Sequence, residues 1–177
     1  LDFFLFIISI VNPMSKESIN FKKENKTLDY KKMDLNELNK LPPYLGIIDF
    51  KITKTSFKML NIFNDDASVV KYFWHGSFDL KSLDLWHEIS KEKGIYIDVG
   101  AHTGLYTITS LKSNKLNNVI SIEPYYLNMA RLITNLRLNG IKEKTVQTLL
   151  LAASDLDSIQ KFNLKTSQSY LSKGGKI

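Results

Sequence analysis

The sequence predicts an α/β protein built on a partial parallel β-sheet, preceded by a small β-meander and a helix. Three observations carry that prediction. From Gly94 the chain alternates strand, helix, strand, helix, strand within about sixty residues, a pattern that implies parallel strands joined by right-handed crossovers. The apolar runs "IYI" and "LLLA" suit strands buried on both faces of a sheet. The turn after the first of these strands carries two glycines four apart, Gly100 and Gly104, followed by a helical pattern.

The elements follow in order. The first segment, "LDFFLFIISIVNP", is apolar through Val11 but shorter than the ~20 residues a membrane span needs. Asp2 is its only early charge, so it lacks the basic region of a signal peptide. Either Met14 is the true initiator or the segment is the severed end of a longer one. Residues 15–44 are rich in Lys and Asn and read as a linker or loosely packed arm, with Leu28, Met33, Leu35 and Leu38 as one weak helix. This places an arm at 1–45 and a domain at 46–177.

Past Gly46, "IIDFKITKTSFKMLNIF" alternates partially and is rich in β-branched and aromatic residues. "NDD" is a turn, and "SVVKYFW" reads as a further strand of the meander. "FDLKSLDLWHEISKEKG" predicts a helix with Asp79 as N-cap, Leu80, Leu83, Trp86 and Ile89 on one face, and Gly94 at its stop. Strand Ile95–Val99 leads to helix Gly104–Lys112. Strand Asn118–Ile122 leads to helix Tyr126–Leu138, which ends at Gly140, and strand Val146–Ala152 follows. Some alternation in "IQKFNLKTSQSYLSKGGKI" could start a hairpin.

Bulk properties narrow the function classes. The 177 residues suffice for one domain with a core. The absence of cysteine removes disulfides, thiolate nucleophiles and thiolate zinc sites, and makes a reducing, cytoplasmic compartment the default. The net charge is +6 and the pI near 9.3. Of 24 basic residues, however, all but Arg131 and Arg137 are scattered lysines. Nucleic-acid readers lean on the guanidinium fork, so nucleic-acid binding is not expected. His75, His87 and His102 show no metal-ligand spacing, and no metal is expected.

In an open parallel sheet ligands bind beyond the carboxyl ends of the strands. All three strand ends carry marked residues: "DVGAHTG" after the first, Glu123 and Pro124 after the second, and "ASD", with Ser154 and Asp155, after the third. A dinucleotide site wants G-x-G-x-x-G with a diphosphate on the helix N-terminus. Here His102 holds the middle glycine position, and Asp98 precedes Gly100 by two residues. A carboxylate repels a diphosphate and attracts the amino group of a sulfonium amino acid. The pattern therefore favours S-adenosylmethionine over NAD. Glu123, 19 residues after Gly104, is placed to accept from ribose hydroxyls, with Pro124 fixing its backbone. Asp155 or the Ser154 backbone would border adenine. Tyr125 and Tyr126 could stack on adenine or simply staple the helix. His102 reads as a turn residue, and His87 as a surface or half-buried one.

The runs "YIDVGAHTGLYTI", "SIEPYYLNMARLITNLRLNGI" and "LLLAASDLDS" together resemble the FkbM-type family of S-adenosylmethionine-dependent methyltransferases, over about residues 46–170. The resemblance implies a Rossmann-like class I methyltransferase fold, a cofactor-binding half at 94–156, and methyl transfer to a hydroxyl of a sugar, glycolipid or natural product. It also implies that Asp98, Gly100 and Gly104 form the cofactor loop, lined by the backbone of Ala101, His102 and Thr103. Glu123 would hold the ribose, and Ser154 with Asp155 would border adenine. The family continues to a fourth strand and an acceptor side that this sequence lacks, so the chain reads as a fragment. No residue stands out as a catalytic base. An NAD-type oxidoreductase and a truncated, non-catalytic interaction module are the alternatives. A half-sheet exposes unpaired strand edges, so self-association is also expected.

Overall fold

The computed structural model describes residues 15–62 and 65–155. Met14, the apolar segment ahead of it and the anticipated hairpin near the C-terminal end lie outside the described residues. Among these residues no helix is long and apolar enough to cross a membrane. The chain divides into two compact units, the boundary running through a two-stranded β-hairpin. The described parts are 15–48 with 59–62 and 65–78, and 49–58 with 79–155.

The first unit is helical. Residues 15–24 form α1. A 3-10 turn at Tyr30–Lys32 precedes the short α2, Leu35–Leu38. A capping box starts α2: Asp34 Oδ1 accepts from the Glu37 amide at 2.9 Å, and the Asp34 amide donates to Glu37 Oε2 at 2.7 Å. The third helix, α3, is Ala67–His75. Tyr30 and Leu38 pack against Val70 and Trp74 of α3, with Phe21, Met33 and Leu35 around them. The Lys22 ammonium lies 5.0 Å from the Phe73 ring centroid, and burial holds its pKa below the ordinary lysine value. The anticipated loose arm is therefore a packed part of a core. Its sparse apolar residues find partners on α3, which local composition does not reveal.

The segment "SVVKYFW" is helix and not the anticipated strand, so the meander is only a hairpin. Asp66 caps it, accepting from the amides of Ser68 and Val69, and Gly76 closes it at φ 78°. Val69, Val70 and Trp74 are buried and fall on one helical face. Caps and a buried stripe outweigh the β propensity of two valines. The hairpin strands are β1, Gly46–Lys51, and β2, Ser56–Asn61.

The second unit holds the sheet. Helix α4, Leu80–Ile89, has Asp79 before it at φ 45°, and that side chain makes no cap. Instead it accepts from Ser82 Oγ and Tyr106 OH, both at 2.6 Å. Leu83 and His87 are the buried residues of α4, whereas Leu80 and Ile89 are exposed. His87 is thus a core residue, not a surface one.

Strands β3 (Ile95–Val99), β4 (Asn118–Ile122) and β5 (Val146–Leu149) form a parallel sheet in the order β3-β4-β5. Register runs from Ile95 opposite Asn118 to Val99 opposite Ile122, then from Val119 opposite Val146 to Ile122 opposite Leu149. Helices α5 (Leu105–Ser113) and α6 (Tyr126–Leu138) are the crossovers. This is a Rossmann-like α/β arrangement with a partial parallel sheet.

One expectation fails for a topological reason. Two right-handed crossovers stepping the same way across a sheet place both helices on the same face. Asp98 and Ser121, neighbours in register, point at α5 through Thr107. The alternate residues of β3 point away, and Ile95, Ile97 and Val99 are 71 %, 57 % and 60 % exposed. So β3 is not buried on both faces. Among the described residues no strand pairs with its outer edge.

Strand β5 is also shorter than anticipated, ending at Leu149. Its partner β4 ends opposite it, and the ladder stops there. Leu150 and Leu151 are 53 % and 58 % exposed, and residues 150–155 have no regular structure beyond a bend at Asp155.

Candidate functional site

The loop from Gly100 to Gly104 bridges the tip of β3 and the start of α5. Its backbone enters the left-handed region at Gly100 (φ 77°), His102 (φ 51°) and Gly104 (φ 92°). The glycines have different reasons to be there. A Cβ on Gly100 would meet nothing, so only the turn's dihedral requires glycine. A Cβ on Gly104 would stand 2.9 Å from Cγ of Leu132, a fully buried residue of α6. Gly104 thus also permits close packing of the loop on α6.

The loop's amides point inward. Gly100 and Ala101 both donate to the Ile122 carbonyl, at 2.8 and 2.9 Å, and Gly104 donates to the Ala101 carbonyl at 2.8 Å. The His102 amide donates to Glu123 Oε2 at 2.9 Å. A phosphate cradle needs amides directed at the ligand. These four are committed to β4 and to the loop itself. Ala101 and Thr103 are buried, 4 % and 1 % exposed, and α6 holds the Thr103 carbonyl through Asn135 Nδ2 at 2.9 Å.

Glu123 joins three elements. Beyond the His102 amide, its Oε1 accepts from the Tyr125 amide and from Asn128 Nδ2, each at 3.0 Å. Pro124 has no amide hydrogen, so the carboxylate reaches the next donor along and acts as a cap for α6. The group is 5 % exposed. Tyr125 is likewise buried beneath the start of α6, whereas Tyr126 is 62 % exposed.

Asp98 sits one strand over. Its Oδ2 accepts from the Thr107 hydroxyl at 2.6 Å, and the Thr107 amide also donates to the carboxylate. It therefore caps the first turn of α5 from outside the helix. Burial pushes its pKa up, hydrogen bonds from Thr107 pull it down, and the Glu123 charge adds a rise, leaving it above the ordinary aspartate value. Tyr106, on the same turn, is pushed to about 12 by burial and by its bond to Asp79.

The structure brings Asp98, the Gly100–Gly104 loop, Glu123 and Pro124 to one end of the sheet. It does not bring Ser154 and Asp155 to a strand tip. They are exposed and lie well beyond Leu149, with Ser154 Oγ 3.4 Å from Asp155 Oδ1. Sequence reasoning missed Thr107, Ser121, Asn128 and Asn135. Each is a buried polar residue, but α5 also buries Thr109 and Ser110 and α6 buries Arg131, so polarity alone did not single them out.

A cofactor with a ribose diol can be tested against the donors and acceptors present. An ionised carboxylate offers about four acceptor positions, and Glu123 shows three donors. Beside it, Asn128 Oδ1 is buried with no hydrogen-bond partner. Two acceptor positions without donors at one strand tip fit a ligand that donates hydroxyl hydrogens.

No protein-family profile matches the chain, and no curated protein matches it in sequence. Solved structures do match. One is a SAM-dependent methyltransferase from Agrobacterium tumefaciens, at 8 % identity and TM-score 0.46, covering 61 % of this chain and 33 % of that one. M. jannaschii TYW2 in complex with AdoMet matches at 24 % identity and TM-score 0.42, over 60 % of this chain and 43 % of its own. The Pyrococcus abyssi tRNA (uracil-54, C5)-methyltransferase with S-adenosyl-L-homocysteine matches at 15 % identity and TM-score 0.41, over 63 % and 25 %. The chain thus spans between a quarter and under half of the length of these structures.

Proposed function

We propose that the chain carries the cofactor-holding part of an S-adenosylmethionine-dependent methyltransferase. The observation that supports this reading is the pairing of two carboxylates, Asp98 and Glu123, at neighbouring strand tips beside a glycine loop whose amides face inward. A diphosphate would meet negative charge there and few available amides. A ligand with a cationic amino group and a ribose diol would meet acceptors.

In this reading Asp98 attracts the amino group. Glu123 and Asn128 receive ribose hydroxyls, Gly100 gives the turn its shape, and Gly104 lets the loop seat on α6. When bound, the cofactor supplies an activated methyl group on a sulfonium. The protein's part is then to hold donor and acceptor near contact. The acceptor proposed is a hydroxyl of a sugar, glycolipid or natural product. That step rests on the FkbM-type resemblance of "DVGAHTGLYT" and "EPYYLNMARLITNLRLNG".

Calorimetric titration with S-adenosylhomocysteine tests the cofactor assignment. Asp98→Asn keeps an acceptor for Thr107 and removes the charge. It is expected to weaken binding by about tenfold or more, the worth of a charge-assisted hydrogen bond. Equal affinity in Asp98→Asn, or fluorescence enhancement of NADH in place of S-adenosylhomocysteine binding, would overturn it.

A further inference from the structure

Behind Asp98 lies a short chain of buried hydroxyls. Thr107 Oγ1 is 2.6 Å from Asp98 Oδ2 and 2.8 Å from Ser121 Oγ, and both hydroxyl residues are fully buried. A hydroxyl has one hydrogen to give. Thr107 gives its hydrogen to Asp98, so Ser121 is the donor to Thr107. The direction is then fixed: Ser121 to Thr107 to the carboxylate.

Three elements supply this chain, with Asp98 on β3, Thr107 on α5 and Ser121 on β4. In-register pairing of Asp98 with Ser121 puts both on the face that α5 covers. Thr107 is fixed by its helix and has a β-branched side chain with restricted χ1. One carboxylate oxygen is thereby held, and the orientation of the whole group with it.

We propose that Thr107, supported by Ser121, is a positioning residue that keeps Asp98 oriented and ionised for a cationic amino group. The proposal rests on the methyltransferase reading and adds to it a regulation of the same site by pH. Asp98 loses its proton later than an ordinary aspartate because it is buried. The groups that feel its charge are Glu123 at the tip of β4, which opposes ionisation, and Tyr106 on α5, which stays neutral. The hydroxyl chain works against the first of these and against burial. Hydrogen bonds along it also polarise one another. Affinity for a cationic amino group is then complete above the Asp98 pKa and lost as pH falls through it. Removing the Thr107 hydroxyl moves that loss to higher pH.

Two measurements separate this proposal from the reading beneath it. The first is a carbon-13 titration of the Asp98 carboxyl in the ligand-free 177-residue chain, its resonance identified by its absence in Asp98→Asn. Thr107→Val is expected to move the midpoint upward, Ser121→Ala to move it less in the same direction, and Thr107→Ser to leave it in place. The second is S-adenosylhomocysteine affinity against pH. Thr107→Val is expected to bind about tenfold more weakly at mildly acidic pH, with the gap closing as pH rises, and Thr107→Ser to restore binding. Should Thr107→Val fail to fold, Ser121→Ala carries the same comparison. An Asp98 midpoint unmoved in the folded variants overturns the proposal, whether or not the ligand binds. Absence of ligand binding in the unaltered chain, with the midpoint moved as expected, overturns only the cofactor assignment.

Discussion

Asp98 and Glu123 stand at the tips of neighbouring parallel strands, and the chain uses them differently. Glu123 is 5 % exposed and takes hydrogens from two amides and a side-chain amide drawn from the glycine loop and α6. Asp98 is less deeply buried than Glu123, and its carboxylate accepts from one residue, Thr107. The comparison teaches that two acids at one end of a sheet, Asp98 within β3 and Glu123 just past β4, need not carry equivalent loads. Glu123 holds the architecture of the site together, and Asp98 is held by it. Charge removal at Glu123 should be felt first in folding, and charge removal at Asp98 first in binding.

Glu123→Ala is the strongest way to break that contrast. It removes the acceptor of the part-buried His102 amide and of two buried donors, the Tyr125 amide and the Asn128 side-chain amide. An unsatisfied buried donor costs about 1–3 kcal/mol, so two of them give an expected loss of about 2–6 kcal/mol in urea denaturation. A loss below about 1 kcal/mol would mean the loop and α6 do not depend on this carboxylate.

The two glycines sharpen the same point. Gly104→Ala must accept a left-handed φ of 92° and a Cβ 2.9 Å from Leu132 Cγ, with Leu132 unable to yield because it is fully buried. Overpacking and backbone strain together are expected to cost about 2–4 kcal/mol. Gly100→Ala has open space around its Cβ and bears only the dihedral penalty, about 1 kcal/mol. Thermal denaturation of the two variants should therefore rank Gly104→Ala well below Gly100→Ala. Equal midpoints would remove the packing role assigned to Gly104.

Much of this architecture was readable from the residues. β3, β4 and α6 fall where apolar periodicity and the flanking Gly100 and Gly140 put them, because local pattern and global packing agree there. α3 was not readable from propensity, since its Val-Val-Lys-Tyr-Phe-Trp run suits a strand until Asp66 and Gly76 are weighed as caps. The packing of Tyr30 and Leu38 on Trp74 joins residues distant in sequence, which no local window contains. At the site, Asp98, Gly100, Gly104 and Glu123 were marked by spacing alone. Thr107 and Ser121 were not: Ser121 stands alone in an apolar strand and Thr107 among other hydroxyls of α5, and neither is distinguished until its partner on another element is known.

The smallest expected effect concerns the third strand tip. The sequence placed Asp155 beside Asp98 and Glu123, on the assumption that β5 runs to Ala152. The ladder stops at Leu149, whose carbonyl accepts from the Glu123 amide at 3.1 Å and from the Leu151 amide at 2.9 Å. The chain then continues exposed to Asp155, whose neighbour in space is Ser154. An exposed carboxylate of this kind contributes within about 0.5 kcal/mol to stability. Asp155→Ala should accordingly leave both the denaturation midpoint and S-adenosylhomocysteine affinity unchanged, the latter within about twofold. A tenfold loss of affinity with stability intact would show that the segment after β5 folds back onto the ligand. The site would then have three acidic corners, and the division of labour between Asp98 and Glu123 would have to be redrawn to include a third.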